Sequence, residues 1–181
     1  MNRSRKCQCC PQPRGFGLVQ LVVATCILAI LSALALPSLR GALARTRADS
    51  LRMQLQSLLA TARSTAITRQ QRIEACPSDD GVTCGKDWSR GWLLYPVPPG
   101  SRADPLPTEL LLVEQRRPSE VRTVQSTLKP RIQFRADGRG AGTNQTIRVC
   151  LDGQLHSKVM VSVPGRIRSE RPNRPMPCKG K

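Results

Sequence analysis

Phe16–Leu36, a run of 21 residues without a formal charge, constrains this chain more than anything else in it. A helix needs about 20 consecutive apolar residues to cross the hydrocarbon core of a bilayer. The apolar part of a cleaved secretory signal is only about 7–15 residues long and ends at a small-x-small site. The run exceeds that length, and the triplet Ala33-Leu34-Ala35 lies too deep within it. Arg3, Arg5, Lys6 and Arg14 precede it with no acid among them. That asymmetry keeps the N-terminus in the cytoplasm and sends the rest of the chain across. A plain anchor does not explain Gln20, an amide whose burial in an apolar medium is costly without a partner.

A basic leader ending in Gly, then Phe, a polar residue at the fifth helical position and a Pro about 20 residues on resembles the class III signal of type IV pilins and pseudopilins. The residues that carry the resemblance are Arg14-Gly15-Phe16-Gly17-Leu18-Val19-Gln20-Leu21, with Pro37 downstream. It implies that a prepilin peptidase cuts between Gly15 and Phe16 and methylates the new amine. The retained helix then anchors the subunit in inner-membrane lipid and later packs against other pilin or pseudopilin subunits. The family's fifth residue is normally Glu, whose charge offsets a neighbour's terminal amine in an apolar core, where an unpaired charge is very costly. Gln20 can accept a hydrogen bond from that amine but cannot cancel its charge. The departure fits a minor subunit better than a repeated one, and neutral drift in a tolerant subunit stands beside that reading.

Leu51, Leu55, Leu58, Leu59, Ala62, Ala66 and Ile67 continue at helical spacing, with Arg and Gln between them. The pattern predicts a helix reaching about Arg69, bent at Pro37 and softened at Gly41. Two helices separated at Pro37 are the alternative. After Arg72 the pattern becomes short apolar and β-branched runs: 72–76, 91–95, 109–115, 121–124, 131–134, 146–151 and 158–163. Turn signals such as Asp79-Asp80-Gly81, Asp137-Gly138 and Asp152-Gly153 separate them. The order predicts an α+β, pilin-like fold: a long N-terminal helix, its first half transmembrane, packed on a mainly antiparallel β domain. The expected organisation is a cytoplasmic leader 1–15, a membrane helix 16–36 and its periplasmic continuation 37–71. A β-rich domain 72–164, with a Pro-rich surface loop at 96–107, and a basic Pro-rich tail 165–181 complete it.

Lys and Arg total 29 against 12 acids, a net charge of +17. The surplus persists without the leader, and it favours polyanionic partners or an anionic membrane surface, unless it expresses only a general Arg richness. Of eight cysteines, Cys7, Cys9 and Cys10 fall in the leader and Cys26 in the membrane helix, where it is expected to pack. Cys76, Cys84, Cys150 and Cys178 form an even set in an oxidising compartment, and their order suggests the pairs Cys76–Cys84 and Cys150–Cys178. A zinc site from the same four is the rival, but the close-paired thiolate spacing is missing. His156 is the only histidine, and the sequence carries no His-based metal motif, P-loop or nucleophile elbow. It is expected at the surface beside Ser157 and Lys158. The sequence points to no enzyme and no cofactor.

The stretches "ACPSDDGVTCGKDWSRGWLLY", "IQFRADGRG", "IRVCLDG" and "VSVPGRIR" resemble the GspH/FimT-type branch of the pseudopilins. Trp88 and Trp92 are read as sheet-packing residues, since large aromatics usually serve burial. The tail Pro164–Lys181 holds Arg166, Arg168, Arg171, Arg174, Lys179 and Lys181 against Glu170 alone. Its prolines disfavour helix and central strand, and if Cys150 and Cys178 join, the bond ties it back to the sheet. Guanidinium forks suit phosphate oxygens. Gly165-Arg166-Ile167-Arg168 resembles the GRxR motif of FimT-type minor pilins that bind DNA during natural transformation. The resemblance implies a minor pilin that grips double-stranded DNA through phosphates, Arg166 and Arg168 first. The alternative is a structural minor pseudopilin of a type II secretion system without a nucleic-acid partner. A solvated tail that touches only water or anionic lipid stands beside both.

Overall fold

The computed structural model describes residues 17–98, 110–117, 119–125 and 130–178. The leader with Cys7, Cys9, Cys10, Gly15 and Phe16, most of the Pro-rich loop, and Lys179 and Lys181 lie outside the described residues. The chain divides into two units, Met1–Arg40 and Gly41–Lys181.

Helix α1 is Leu18–Arg69, so the alternative of two helices separated at Pro37 is not realised. A proline removes one helical hydrogen bond without having to end the helix. In the first unit the described side chains of α1 are all exposed, Cys26 among them with a free thiol. This stretch is long and apolar enough to cross a membrane. At its start the Gln20 amide oxygen accepts the Gly17 backbone N–H at 3.4 Å. That is the returning half of a capping box, and it satisfies one of the donors that a helix start leaves without a partner.

In the second unit α1 buries Ala44, Ala48, Leu51, Leu55, Leu58, Leu59, Ala62 and Ala66. The stripe begins two alanines earlier than the sequence suggests, and Ile67 is half exposed rather than part of it. The strands are β1 Ile73–Pro77, β2 Gly91–Pro96, β3 Leu112–Gln115, β4 Val121–Gln125, β5 Ile132–Phe134, β6 Gln145–Leu151, β7 Gln154–Val161 and β8 Ile167–Glu170. They form two antiparallel sheets, ordered β3-β2-β1-β5 and β4-β6-β7-β8. One face of each closes with the α1 stripe over a single core that includes Trp92, Phe134, Ile147 and Val159. Alternation places Cys76, Leu93 and Tyr95 on the other face of the first sheet, where Cys76 bonds Cys84.

Trp88 is fully buried and joins the sheets. Its backbone N–H donates to Thr123 Oγ1 and its indole N–H to Gln125 Oε1, both at 2.8 Å on β4. Two differences from the sequence reading matter for function. Strand β7 starts four residues earlier than expected, because Asp152-Gly153, both with positive φ (50° and 73°), closes a two-residue hairpin directly onto β6. And the start of the tail is not outside the sheet: β8 pairs with β7 as an edge strand, lying between Pro164 and Pro172. An edge tolerates flanking prolines that a central strand would not.

Candidate nucleic-acid interface

The β7–β8 hairpin turns through Ser162–Gly165, with Gly165 N–H donating to the Ser162 carbonyl at 2.8 Å. Gly165 has a φ of 83°. A Cβ there would stand 2.0 Å from the Gly138 carbonyl oxygen. Only glycine lets these two turns abut. Arg63 Nε donates to the same Gly138 oxygen at 3.0 Å, and Gly140 N–H donates to the Val163 carbonyl at 2.9 Å. The residues just before Arg166 are therefore held by backbone contacts and by α1.

From that turn β8 runs with Ile167 half-buried against the core and with Arg166, Arg168 and Glu170 exposed. Arg166 and Arg168 line one groove of 450 Å³ with Asn144, Thr146, Met160 and Ser162, and no acid lines it. Neither arginine makes an ion pair among the described residues. Glu170 is neutralised by Lys158, Nζ to Oε2 at 3.0 Å. The groove therefore holds two uncompensated guanidinium groups and no charge of opposite sign. Such a surface suits phosphate oxygens.

The other predicted cations fare differently. Arg171 places Nη2 2.7 Å from Asp49 Oδ1 on α1. His156, expected at the surface, is largely buried, and its Nε2–H donates to the same oxygen at 2.9 Å. Burial pushes the Asp49 carboxyl up, but the hydrogen bonds and charges of His156 and Arg171 outweigh it and hold the group below its ordinary value. Arg171 is thus a strut between the tail and α1 rather than a free cation. Arg174 is exposed. It lines a second groove of 360 Å³ with Arg45, His156 and Arg171, again without an acid in its lining.

Beyond Arg171 the tail is fastened to the β6–β7 hairpin. Leu155 N–H donates to the Met176 carbonyl and Cys178 N–H to the Gly153 carbonyl, both at 2.8 Å. Cys150 bonds Cys178 with a Cα–Cα distance of 6.0 Å. Among the described residues no cluster of His, Cys, Asp and Glu is arranged to hold a metal ion. Sequence reasoning missed Asp49 and Arg45. The signal for Asp49 was present, since it is the sole acid in α1.

Residues 52–165 match the family model described as Type II transport protein GspH. The chain belongs to this family. A comparison with curated protein sequences found no significant match. Among solved structures, the type IV minor pilin FimU of Pseudomonas aeruginosa is similar at 23% identity and a TM-score of 0.59, covering 75% of this chain and 97% of FimU. The minor pseudopilin EpsH from the Type 2 Secretion System of Vibrio cholerae is similar at 12% identity and a TM-score of 0.51, covering 71% of this chain and 99% of EpsH. This GspH family member thus has a pilin-like fold, the long apolar helix followed by antiparallel sheets.

Proposed function

We propose that this GspH family protein is a membrane-anchored minor pilin whose β7–β8 hairpin binds double-stranded DNA through phosphates, for uptake in natural transformation. The observation that carries the reading is the acid-free groove in which Arg166 and Arg168 stand together, unpaired and aimed outward from a turn fixed by Gly165. Phosphate contact needs no base readout, so binding is independent of sequence and falls steeply with salt. In this reading a prepilin peptidase removes residues 1–15. The mature chain then begins at Phe16, with α1 held in the inner membrane and the β domain in the periplasm. Gln20 lies where the helix packs against neighbouring pilin subunits.

The test is a gel shift of the full chain in detergent with plain duplex DNA at two salt concentrations. Arg166→Gln/Arg168→Gln should weaken binding to every duplex alike while leaving thermal melting within about 1 kcal/mol of the parent, since exposed charges contribute little to stability. Unchanged affinity in a folded double mutant removes the DNA role.

A second reading, a structural minor pseudopilin of a type II secretion system, is favoured by the family description and by the likeness to EpsH. The two readings share a fold, so the site and not the fold separates them.

A further inference from the structure

The basic character of the tail does not end at the first groove. Strand β8 leads from Arg166 and Arg168 to Arg171 and Arg174, which line the second groove with Arg45 of α1. The acids that meet this path are both neutralised. Glu170 is held by Lys158 at 3.0 Å, and Asp49 by Arg171 at 2.7 Å and His156 at 2.9 Å. Arg45 and Arg174 are exposed, and neither makes an ion pair among the described residues. The disulfide at Cys178 and the Gln154–Pro177 bridge hold the backbone beyond Arg174 against the sheet. A cation on a fastened segment loses less freedom on gripping a ligand than one on a loose tail.

We infer that Arg45 and Arg174 form a second phosphate-binding groove, and that one duplex lying along β8 engages both grooves at once. This rests on the DNA reading above. Four residues of strand span about 13 Å, and each DNA strand offers a phosphate about every 3.4 Å of axis. A duplex lying along β8 therefore presents several phosphates over the length of the strand, and two anchor points fix its direction along the edge. Arg45 is a DNA contact on α1, outside the C-terminal motif. Arg171 is a positioning residue, which neutralises Asp49 and carries the tail past it.

The experiment measures the salt dependence of affinity of the full chain in detergent for a 30-base-pair duplex, about three helical turns. It compares the parent with Arg45→Gln/Arg174→Gln and with Arg166→Gln/Arg168→Gln, each checked by thermal melting. The expected result is that each pair weakens binding and lowers the slope of log K against log salt by about 0.9 per lost phosphate contact. The four-fold variant should lose the sum of the two slopes. A slope changed only by the Arg166/Arg168 pair overturns the second groove and leaves the DNA reading standing. A slope changed by neither pair overturns both. A parallel measurement uses vesicles of phosphatidylglycerol. If the Arg45/Arg174 pair alters binding to vesicles and not to duplex, the groove serves a membrane surface and the inference fails.

Discussion

Gly165 shows how one missing side chain positions two charged ones. Its φ of 83° lies in the left-handed region, and the place of its Cβ is filled by the Gly138 carbonyl. A backbone oxygen cannot move aside as a side chain can. Gly165→Ala should therefore cost about 2–4 kcal/mol, combining left-handed strain with a backbone collision. Gly153 is the control: its φ is 73°, yet nothing lies within 4 Å of its Cβ position. Gly153→Ala should cost only about 1–2 kcal/mol, the strain alone. Urea unfolding of both variants checks the difference, and equal costs would show that the two turns do not depend on their close approach. The motif Gly-Arg-x-Arg was legible in the sequence, and so was the exposure of its arginines. That Gly165 serves contact with Gly138 was not, because the partner lies 27 residues away and carries no signal but another glycine.

Strand β8 is held to the rest of the molecule chiefly by polar links. Ser169 Oγ donates to Gln56 Oε1 at 2.8 Å, Arg52 Nη1 donates to Ser169 Oγ at 3.0 Å, and Arg171 meets Asp49. Ile167 is its one side chain packed on the core. The Asp49 contribution depends on pH in a fixed sense. Its carboxyl is held below the ordinary value, so the stabilisation is complete above the unfolded carboxylate's pKa of about 3.9 and is lost as pH falls through the lower folded value. Against Asp49→Asn, the parent should be about 1–2 kcal/mol more stable at pH 6. The difference should shrink once pH falls below the unfolded carboxylate's value and disappear as it passes the lower folded one, as read by urea melts at descending pH. The Cys150–Cys178 bond closes the same element covalently, across a separation of 28 residues. Replacing both cysteines with Ser should cost about 2–4 kcal/mol. Hydrogen exchange should then rise at residues 171–178 and at Leu155, whose N–H donates to the Met176 carbonyl, while the other β6 and β7 amides stay protected. Equal loosening of β6 and β7 would show that the tail is part of the cooperative core instead. The sequence announced most of the strands through short apolar and β-branched runs between turn signals, and it ordered the four cysteines. It hid β8 because edge strands need few apolar residues, so Arg-Ile-Arg-Ser between prolines looked like a tail. It hid the His156–Asp49–Arg171 cluster because three residues from separate segments meet only once α1 lies on the second sheet.

For the whole molecule, the division of labour follows from where each kind of side chain is placed. The apolar half of α1 carries no charge from Leu18 to Leu39, and the second unit closes its own core on the other half. The fold class was legible because helix and strand periods change sharply near Arg72. The basic surface was legible only as a net charge. That Arg45, Arg166, Arg168 and Arg174 make no ion pair among the described residues, while Arg171 meets Asp49 and Arg47 lies 3.1 Å from Glu120, needed the positions of the acids. The edge strand has one more consequence. An open strand is a template on which a second copy can add its own strand. Like charges at Arg166 and Arg168, with Pro164 before the strand and Pro172 after it, make that addition unfavourable. On the DNA reading, the two arginines proposed for phosphate would also oppose strand addition between copies. Arg166→Val/Arg168→Val should self-associate at concentrations where the parent and the Gln pair stay dispersed, as followed by light scattering of the detergent-solubilised chain. Equal scattering by all three would leave the two arginines with nothing to do except hold a ligand.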